Sequence, residues 1–378
     1  MGEIQGQPFQ LDLNAPPKAG IRDSRIAPDG ALVALREHSK CTGFFRQLFL
    51  LVCQKNSWSP ALITGEFWRY LTNIGMRREV LRLLKLRPYA EITQKNPGFA
   101  FKYLAPNYLA RSFTLTERVS CFLHHYRRIH AALPESILRQ ILQGYITLHE
   151  IAEGGNRFAF TMGLPEPKGH LEGELSLDLR VDGKKVFNLS FTIVPGSVVK
   201  SKAAEILFIT RLQGTKGSLP QIRLARKAFH EFFPGKLLLA TLQGIAEALG
   251  IGEIEAVCVT KQSSYTKVRS AIFKNRYDDF FAELGMVKTA GGFYSSPVPV
   301  QGRPLASFRG RNRLRARKRR IIRQQIQAAC AALLLGATDR AAASTSGRAK
   351  STPITGAVES RPSPHFLSHT RLRSNSST

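Results

Sequence analysis

The stretch GHLEGELSLDLRVDGKKVFNLSFTIVPG, residues 169 to 196, constrains the fold more than any other part of this chain. Apolar Leu175, Leu177, Leu179 and Val181 alternate with Glu174, Ser176, Asp178 and Arg180, and a return run sets Phe187, Leu189, Phe191 and Ile193 against Asn188, Ser190 and Thr192. A period of two marks strands with one buried face, because successive side chains leave opposite sides of the pleat. Asp182-Gly183 fits a two-residue type I′ turn, but that loop sets Leu177 opposite Asn188 and splits the apolar faces. A three-residue loop, Val181-Asp182-Gly183, pairs Leu177 with Phe187 and Leu175 with Leu189, and puts Gly183 at the left-handed position of a bulge. The bulged hairpin is the expectation. It implies a sheet covered by helices on one face and wet, or lining a cleft, on the other.

The flanking patterns set the rest of the order. Residues 1–34 are rich in Gly, Pro and turn formers and read as a loose segment. From 35 to 150 apolar residues recur three and four apart, as in FWRYLTNIGMRREVLRLLKL and RVSCFLHHYRRIHAAL, which predicts helices. Thr116-Glu117 precedes the second of these, and Pro134 opens a further helix. Residues 151–300 hold strands at RFAFTMG, the hairpin, AEILFITRLQG, EIEAVCV and GGFYSSPV, with helices at PQIRLARKAFHEFF, KLLLATLQGIAEALG and YDDFFAELGM. Residues 301–338 read as a basic amphipathic helix, and 339–378, rich in Ser, Thr and Pro, as a disordered tail. The fold class is α+β: a helical N-terminal part packed on a mixed, mostly antiparallel sheet.

The 378 residues carry 55 Lys+Arg against 27 Asp+Glu, a net charge of +28, which favours an anionic partner. Half of that excess lies beyond residue 300. The five cysteines are widely spaced with no C-x-x-C pair, which excludes a disulfide framework and a zinc knuckle and points to a reducing compartment. MGEIQGQPFQLDLNAPP lacks a signal-peptide pattern, and GFFRQLFLLVC (43 to 53) is too short to span a bilayer and reads as a buried helix. These features place the protein in the cytosol, or peripheral to a membrane.

KYLAPNYLARSFTLTERVSCFLHHYRRI (102 to 129), HEIAEGGNRFAFTMG (149 to 163), the hairpin and KLLLATLQGIAEALGI together resemble the VirK/YbjX family of bacterial proteins, whose biochemical function is unknown. The resemblance spans roughly residues 50 to 300. It implies a role in envelope adaptation, virulence and resistance to cationic peptides, and it supplies no catalytic residues. A second likeness, over 205–297, is to the back half of GNAT acyltransferases, in which a helix, a strand, a second helix and a last strand follow a cofactor loop. That likeness implies an acyl-CoA donor held by backbone N–H groups at a helix start. The loop is approximated by Arg211-Leu212-Gln213-Gly214-Thr215-Lys216-Gly217, so Gln213, Gly214, Lys216 and Gly217 are the cofactor-binding candidates. Phe281 stands where a GNAT tyrosine would protonate the leaving thiolate, and Tyr277, one turn earlier, is the substitute acid. The plainer reading of the same segments is a degenerate scaffold whose Gly-containing loop is only a turn.

His149-Glu150 to Arg157, with Glu153 between, sets ionisable groups and a Gly-Gly turn before a strand. Glu150 or Glu153 is the candidate base there, Glu150 foremost, against the plainer reading of a solvated helix end with a turn. His124, His125 and His130 contain no pair four apart and read as surface or boundary residues, so no metal site is expected. No G-x-S-x-G elbow occurs, and Cys258 lies in an apolar strand as a core residue.

The basic run from Arg309 to Arg323 contains Arg311, Arg313, Arg315, Arg317, Lys318, Arg319, Arg320 and Arg323. It binds polyanions at low salt. Phe308 is its only neighbouring aromatic, so base stacking is poorly served. Facing the apolar AACAALLLGA, the run suits a helix on an anionic leaflet better than a nucleic-acid site. An envelope protein client, or a merely solubilising tail, stands beside these readings. Acyl transfer and a non-catalytic adaptor are therefore the two functional expectations.

Overall fold

A computed structural model describes residues 72–265 and 277–348 apart from residue 303, with Gly65, Trp68 and Arg69 ahead of them. The chain divides into two compact units, Met1–Asn56 and Ser57–Thr378, and all that follows concerns the second. The loose segment 1–34, the apolar run 43–53 and the tail beyond 348 lie outside the described residues.

The helical part begins with α1 (Ile74–Leu84), capped by the Asn73 side chain, and α2 (Arg87–Lys95), which has Pro in its first turn. The long α3 (Leu115–Ala132) starts earlier than Thr116-Glu117 suggested. Thr114 is its cap, and Glu117 returns the bond to the Thr114 backbone, a reciprocal capping box. Next comes α4 (Glu135–Gln143). Tyr89, Phe99, Phe122 and Tyr126 pack edge-to-face with centroids 5.0–5.8 Å apart and tie α2 to α3.

Eight strands form one mixed sheet: β1 (Tyr145–Glu153), β2 (Asn156–Gly163), β3 (Leu175–Val181), β4 (Lys184–Pro195), β5 (Glu205–Gly214), β6 (Glu253–Ala256), β7 (Val287–Lys288) and β8 (Tyr294–Pro297). Their order is β1-β2-β3-β4-β5-β6-β8-β7, and only β5 and β6 are parallel. The α+β class is thus observed. The boundary at 150 is not, because β1 begins at Tyr145, inside the stretch read as helical.

The hairpin corrects the expected turn. Leu177 faces Leu189 and Leu179 faces Phe187, and the turn is the two-residue Asp182-Gly183 with φ of 48° and 79°, the type I′ sign at both positions. One extra residue, Val186, is absorbed between the pairs Leu179↔Phe187 and Arg180↔Lys185. That bulge restores the match of apolar faces which the short turn alone would break.

The sheet centre is covered on both faces, not one. β4 is buried at every position from Val186 to Val194, the pattern of a strand with helices on either side. α3 packs against β4, and so does α6 (Pro234–Leu249), which follows the shorter α5 (Leu219–Ala228). The small α7 (Asp278–Glu283) precedes β7, and α8 (Gly310–Arg348) closes the described chain, ten residues beyond the expected end of the basic helix. Ile326, Cys330, Ala331 and Leu334 of α8 are buried, and a Cβ on Gly244 of α6 would stand 2.4 Å from the Gln327 carbonyl oxygen. The apolar half of α8, expected to face a leaflet, is therefore packed on α6. No helix among the described residues is long and apolar enough to cross a membrane.

Candidate active site at the parting of two strands

The parallel pair is short. Leu207↔Ile254, Phe208↔Glu255 and Ile209↔Ala256 are its only partners, followed by the Val257 N–H donating to the Ile209 carbonyl at 2.9 Å. Beyond that bond β5 runs on to Gly214 while β6 ends. The parting coincides with a bulge: Ser190 faces Arg211 and Phe191 faces Ile209, so Thr210 is an extra residue in β5. A bulge sharpens the local twist and re-aims the backbone, which is how a sheet opens next to a site. The Leu212 N–H, past the bulge, donates to the Tyr277 hydroxyl at 3.4 Å. Tyr277 is buried, and the next residue, Asp278, accepts the Val259 N–H at 2.9 Å, so the start of α7 is fastened to the chain leaving β6. Phe281 is fully buried against Phe280 and Tyr294 and takes no polar role.

The expected cofactor loop is only partly a loop. Gln213 and Gly214 are the last residues of β5, paired with Asn188 and Phe187. A Cβ on Gly214 would stand 3.1 Å from Ile222 Cδ1, so this glycine serves packing. The Thr215 and Ser218 amides donate to the Val186 and Thr215 carbonyls. Lys216 and Gly217 are exposed, and Gly217 has φ 80° with open space about it, which leaves that backbone approachable by a ligand. Two backbone groups could serve a coenzyme A-type thioester: the Leu212 N–H, which would donate to its carbonyl in place of the tyrosine hydroxyl, and the exposed Lys216-Gly217 turn.

A polar network at the bulge was not anticipated. Glu172 Oε2 lies 2.9 Å from Arg211 Nη1, and its Oε1 accepts from Gln262 Nε2 at 2.7 Å and from the Ser264 hydroxyl. Thr210, the bulged residue, donates its hydroxyl to the Glu172 carbonyl. Gly173 next to it has φ 141°, and a Cβ there would stand 2.9 Å from Ser190 Cβ, so only glycine fits. One residue on, fully buried Glu174 accepts from Tyr108 and Tyr126 and pairs with Lys102. Burial and the Glu174 charge push both phenols well above their usual range, while burial lowers Lys102. His125, expected at a boundary, is also buried. Burial keeps it neutral, so its Nδ1 can accept the Ile193 N–H at 3.1 Å. On β6, Glu255 is buried with Oε2 unpartnered, and burial together with Glu253 pushes its carboxyl up to about 8.

The structure does not bring the two catalytic candidates together. Glu150 sits on β1, exposed, with Oε1 3.2 Å from Arg157 Nε. Four strand spacings separate β1 from β5, roughly 19 Å. Glu150 therefore cannot exchange a proton with a substrate held at Tyr277. Among the basic candidates, Arg311, Arg313, Arg317 and Lys318 are exposed, whereas Arg319, Arg320 and Arg323 are partly buried and line, with exposed Arg315, a cavity beside α6. The signal for Glu172 and Glu174 lay in the quoted ribbon, as two acids flanking a glycine at a strand start. Alternation assigned Glu174 to the polar face.

Comparison with protein-family models matches residues 67–332 to DUF535, described as a protein of unknown function. No curated protein and no solved structure matches.

Proposed function

This chain belongs to the DUF535 family, the family that includes the VirK/YbjX proteins, and from that premise we propose that it transfers an acyl group from a coenzyme A-type thioester to an acceptor amine or hydroxyl. The observation that carries this reading is the parting of β5 from β6 at the Thr210 bulge, which leaves the Leu212 N–H facing a side chain instead of a strand. The order β5-β6-β8-β7, with its one parallel pair, is consistent with the GNAT likeness. Envelope adaptation, virulence and resistance to cationic peptides are the setting that the VirK/YbjX likeness implies.

The donor, when bound, supplies an activated acyl carbon. The Leu212 N–H binds the thioester carbonyl and stabilises the charge that gathers on its oxygen. The acceptor lone pair forms the new bond to the acyl carbon as the carbon–sulfur bond breaks. The acceptor proton is assigned to Glu255, the raised carboxyl of β6, which pairs with Phe208 on the strand that carries Leu212. The Tyr277 hydroxyl, displaced from Leu212, gives its proton to the departing sulfur. The Glu172–Arg211 pair keeps the bulge in place and the near side of the slot polar.

Melting of the full chain with acetyl-CoA, a long-chain acyl-CoA and free CoA tests this. A site that binds only the folded state adds about 2.7 kcal/mol at a hundredfold excess over Kd, and Tyr277→Phe should reduce turnover while keeping most of that shift. Absence of any shift with all three compounds sinks the transferase reading.

The exposed Arg311, Arg313, Arg317 and Lys318 favour a second reading, a non-catalytic adaptor that docks an anionic leaflet, an envelope protein client or nucleic acid. Flotation with anionic liposomes of the unaltered chain and of a variant with Arg311, Arg313, Arg317 and Lys318 changed to Gln separates the two while leaving the packed face of α8 intact.

A further inference from the structure

A cavity of about 390 Å³ lies between α6, the end of α7 and the first turns of α8. Leu239, Leu284, Leu305 and Phe308 give it an apolar floor. Lys236, Arg315, Arg319, Arg320 and Arg323 bring five cationic side chains to its wall, against one carboxylate, Glu283. That carboxylate is already engaged, 2.7 Å from Lys236 Nζ. Arg319 is anchored by its Nε, which donates to the His230 carbonyl at 2.8 Å and leaves the rest of the guanidinium for the cavity. Arg315, Arg319 and Arg323 form no ion pair with any carboxylate among the described residues.

This concentration of charge has a cost. Arg315, Arg319 and Arg323 follow one another at intervals of four on one face of α8, the spacing at which like charges repel. Burial, and then the neighbouring arginine, lowers both Arg319 and Arg323, and the Glu231 carboxylate, itself paired with Arg226, only partly offsets this at Arg319. Packing alone gives no reason to gather them. An anion with several acceptor oxygens would, because each guanidinium presents a planar fork of donors and a phosphate can receive more than one fork. A single carboxylate satisfies one fork and leaves the remainder unpaired. The volume falls within the range of small-ligand sites, and the apolar floor suits the hydrocarbon part of an amphiphile.

We propose that this cavity binds a phosphate group carried on a partly apolar ligand, with Arg315, Arg319 and Arg323 on the phosphate and Leu239 and Leu305 against the carrier. The headgroup of an anionic phospholipid and free phosphate share the recognised chemistry. Neither Leu212 nor Tyr277 lines this cavity, so its occupancy is scored by phosphate binding without reference to the transferase reading.

The experiment titrates the full chain with inorganic phosphate by calorimetry and, in parallel, with phosphatidylcholine vesicles with and without phosphatidylglycerol. Two variants remove the same charge from the same helix: Arg315→Gln with Arg323→Gln inside the cavity, and Arg311→Gln with Arg317→Gln outside it. The inner pair should weaken binding about tenfold or more, as loss of charge-assisted hydrogen bonds does. The outer pair should change it by no more than about twofold at physiological salt. Arg315→Gln alone, at an exposed position, must also weaken binding, which keeps the test valid should the double variant misfold. Binding of phosphate in solution identifies the free anion as sufficient. Binding to phosphatidylglycerol vesicles alone, sensitive to the inner pair, identifies the lipid headgroup. Equal losses from the inner and outer pairs, or no binding of either probe by the unaltered chain, overturn the proposal.

Discussion

Tyr277 and Leu212 are held hydroxyl to amide across the parting of β5 and β6, the Leu212 N–H donating at 3.4 Å where a neighbouring strand would otherwise accept it. The contact is long, and it stands in for a ladder bond. The proposed acyl donor would have to displace this hydroxyl to reach the amide.

Tyr277→Phe removes that acceptor and keeps the ring that packs on Phe281. The Leu212 amide is left buried with no partner, which costs about 1–3 kcal/mol. Hydrogen exchange at the Leu212 amide should accelerate, whereas the Val257 amide, held by Ile209, should keep its protection. Unchanged exchange at Leu212 would show that the hydroxyl is not its partner.

The Lys102–Glu174 pair predicts a larger effect. Both side chains lie in the core, and the carboxylate also receives the Tyr108 and Tyr126 hydroxyls. Lys102→Met leaves that charge buried with two neutral donors and should lower stability by about 3–5 kcal/mol. Adding Glu174→Gln should recover part of the loss, since neutralising both partners removes the uncompensated charge. The urea midpoints of the two variants, at equal denaturant slope, check this order.

Glu255 makes stability depend on pH in a defined direction. Its carboxyl is raised from 4.5 to about 8 by burial and by Glu253, so the folded chain holds a proton that the unfolded chain releases. Stability therefore falls as pH rises from about 4.5 to about 8, and the loss is complete above that window. Glu255→Gln abolishes this dependence, and its melting temperature should exceed that of the unaltered chain at pH 9 by an amount that shrinks towards pH 5. If Glu255 serves as the base, turnover should instead rise with pH through about 8 and be lost in the same variant.

What could be read from the sequence, and what could not, follows from the range of each interaction. The hairpin faces were legible because alternation is local. The turn was not, because either loop length keeps the alternation within each strand, and only the pairing between strands places the extra residue at Val186. Glu174 read as part of the wet or cleft-lining face because its partners Tyr126 and Tyr108 are 48 and 66 positions away. Glu150 was plausible as a base only while the strand order was unknown. Tyr277 was placed by its spacing from a turn, and the structure sets it at the strand parting, although Glu150 lies elsewhere. The apolar end of α8 looked the same to a sequence reading whether it met lipid or another helix.

Gly244 distinguishes those two environments for α8. In an isolated or lipid-facing arrangement, Gly244→Ala in the middle of α6 should raise stability by roughly 1 kcal/mol, the helix-propensity difference. In the packed arrangement a Cβ would stand 2.4 Å from the Gln327 carbonyl oxygen and 2.9 Å from Cys330 Cβ, both rigid neighbours on α8. The helices must then move apart, and overpacking of that kind costs about 1–3 kcal/mol. The sign of the change decides. A lower melting temperature for Gly244→Ala, with faster exchange of amides around Cys330, is expected if α8 is part of the core. A higher one would mean that the apolar half of this helix is free for a membrane after all.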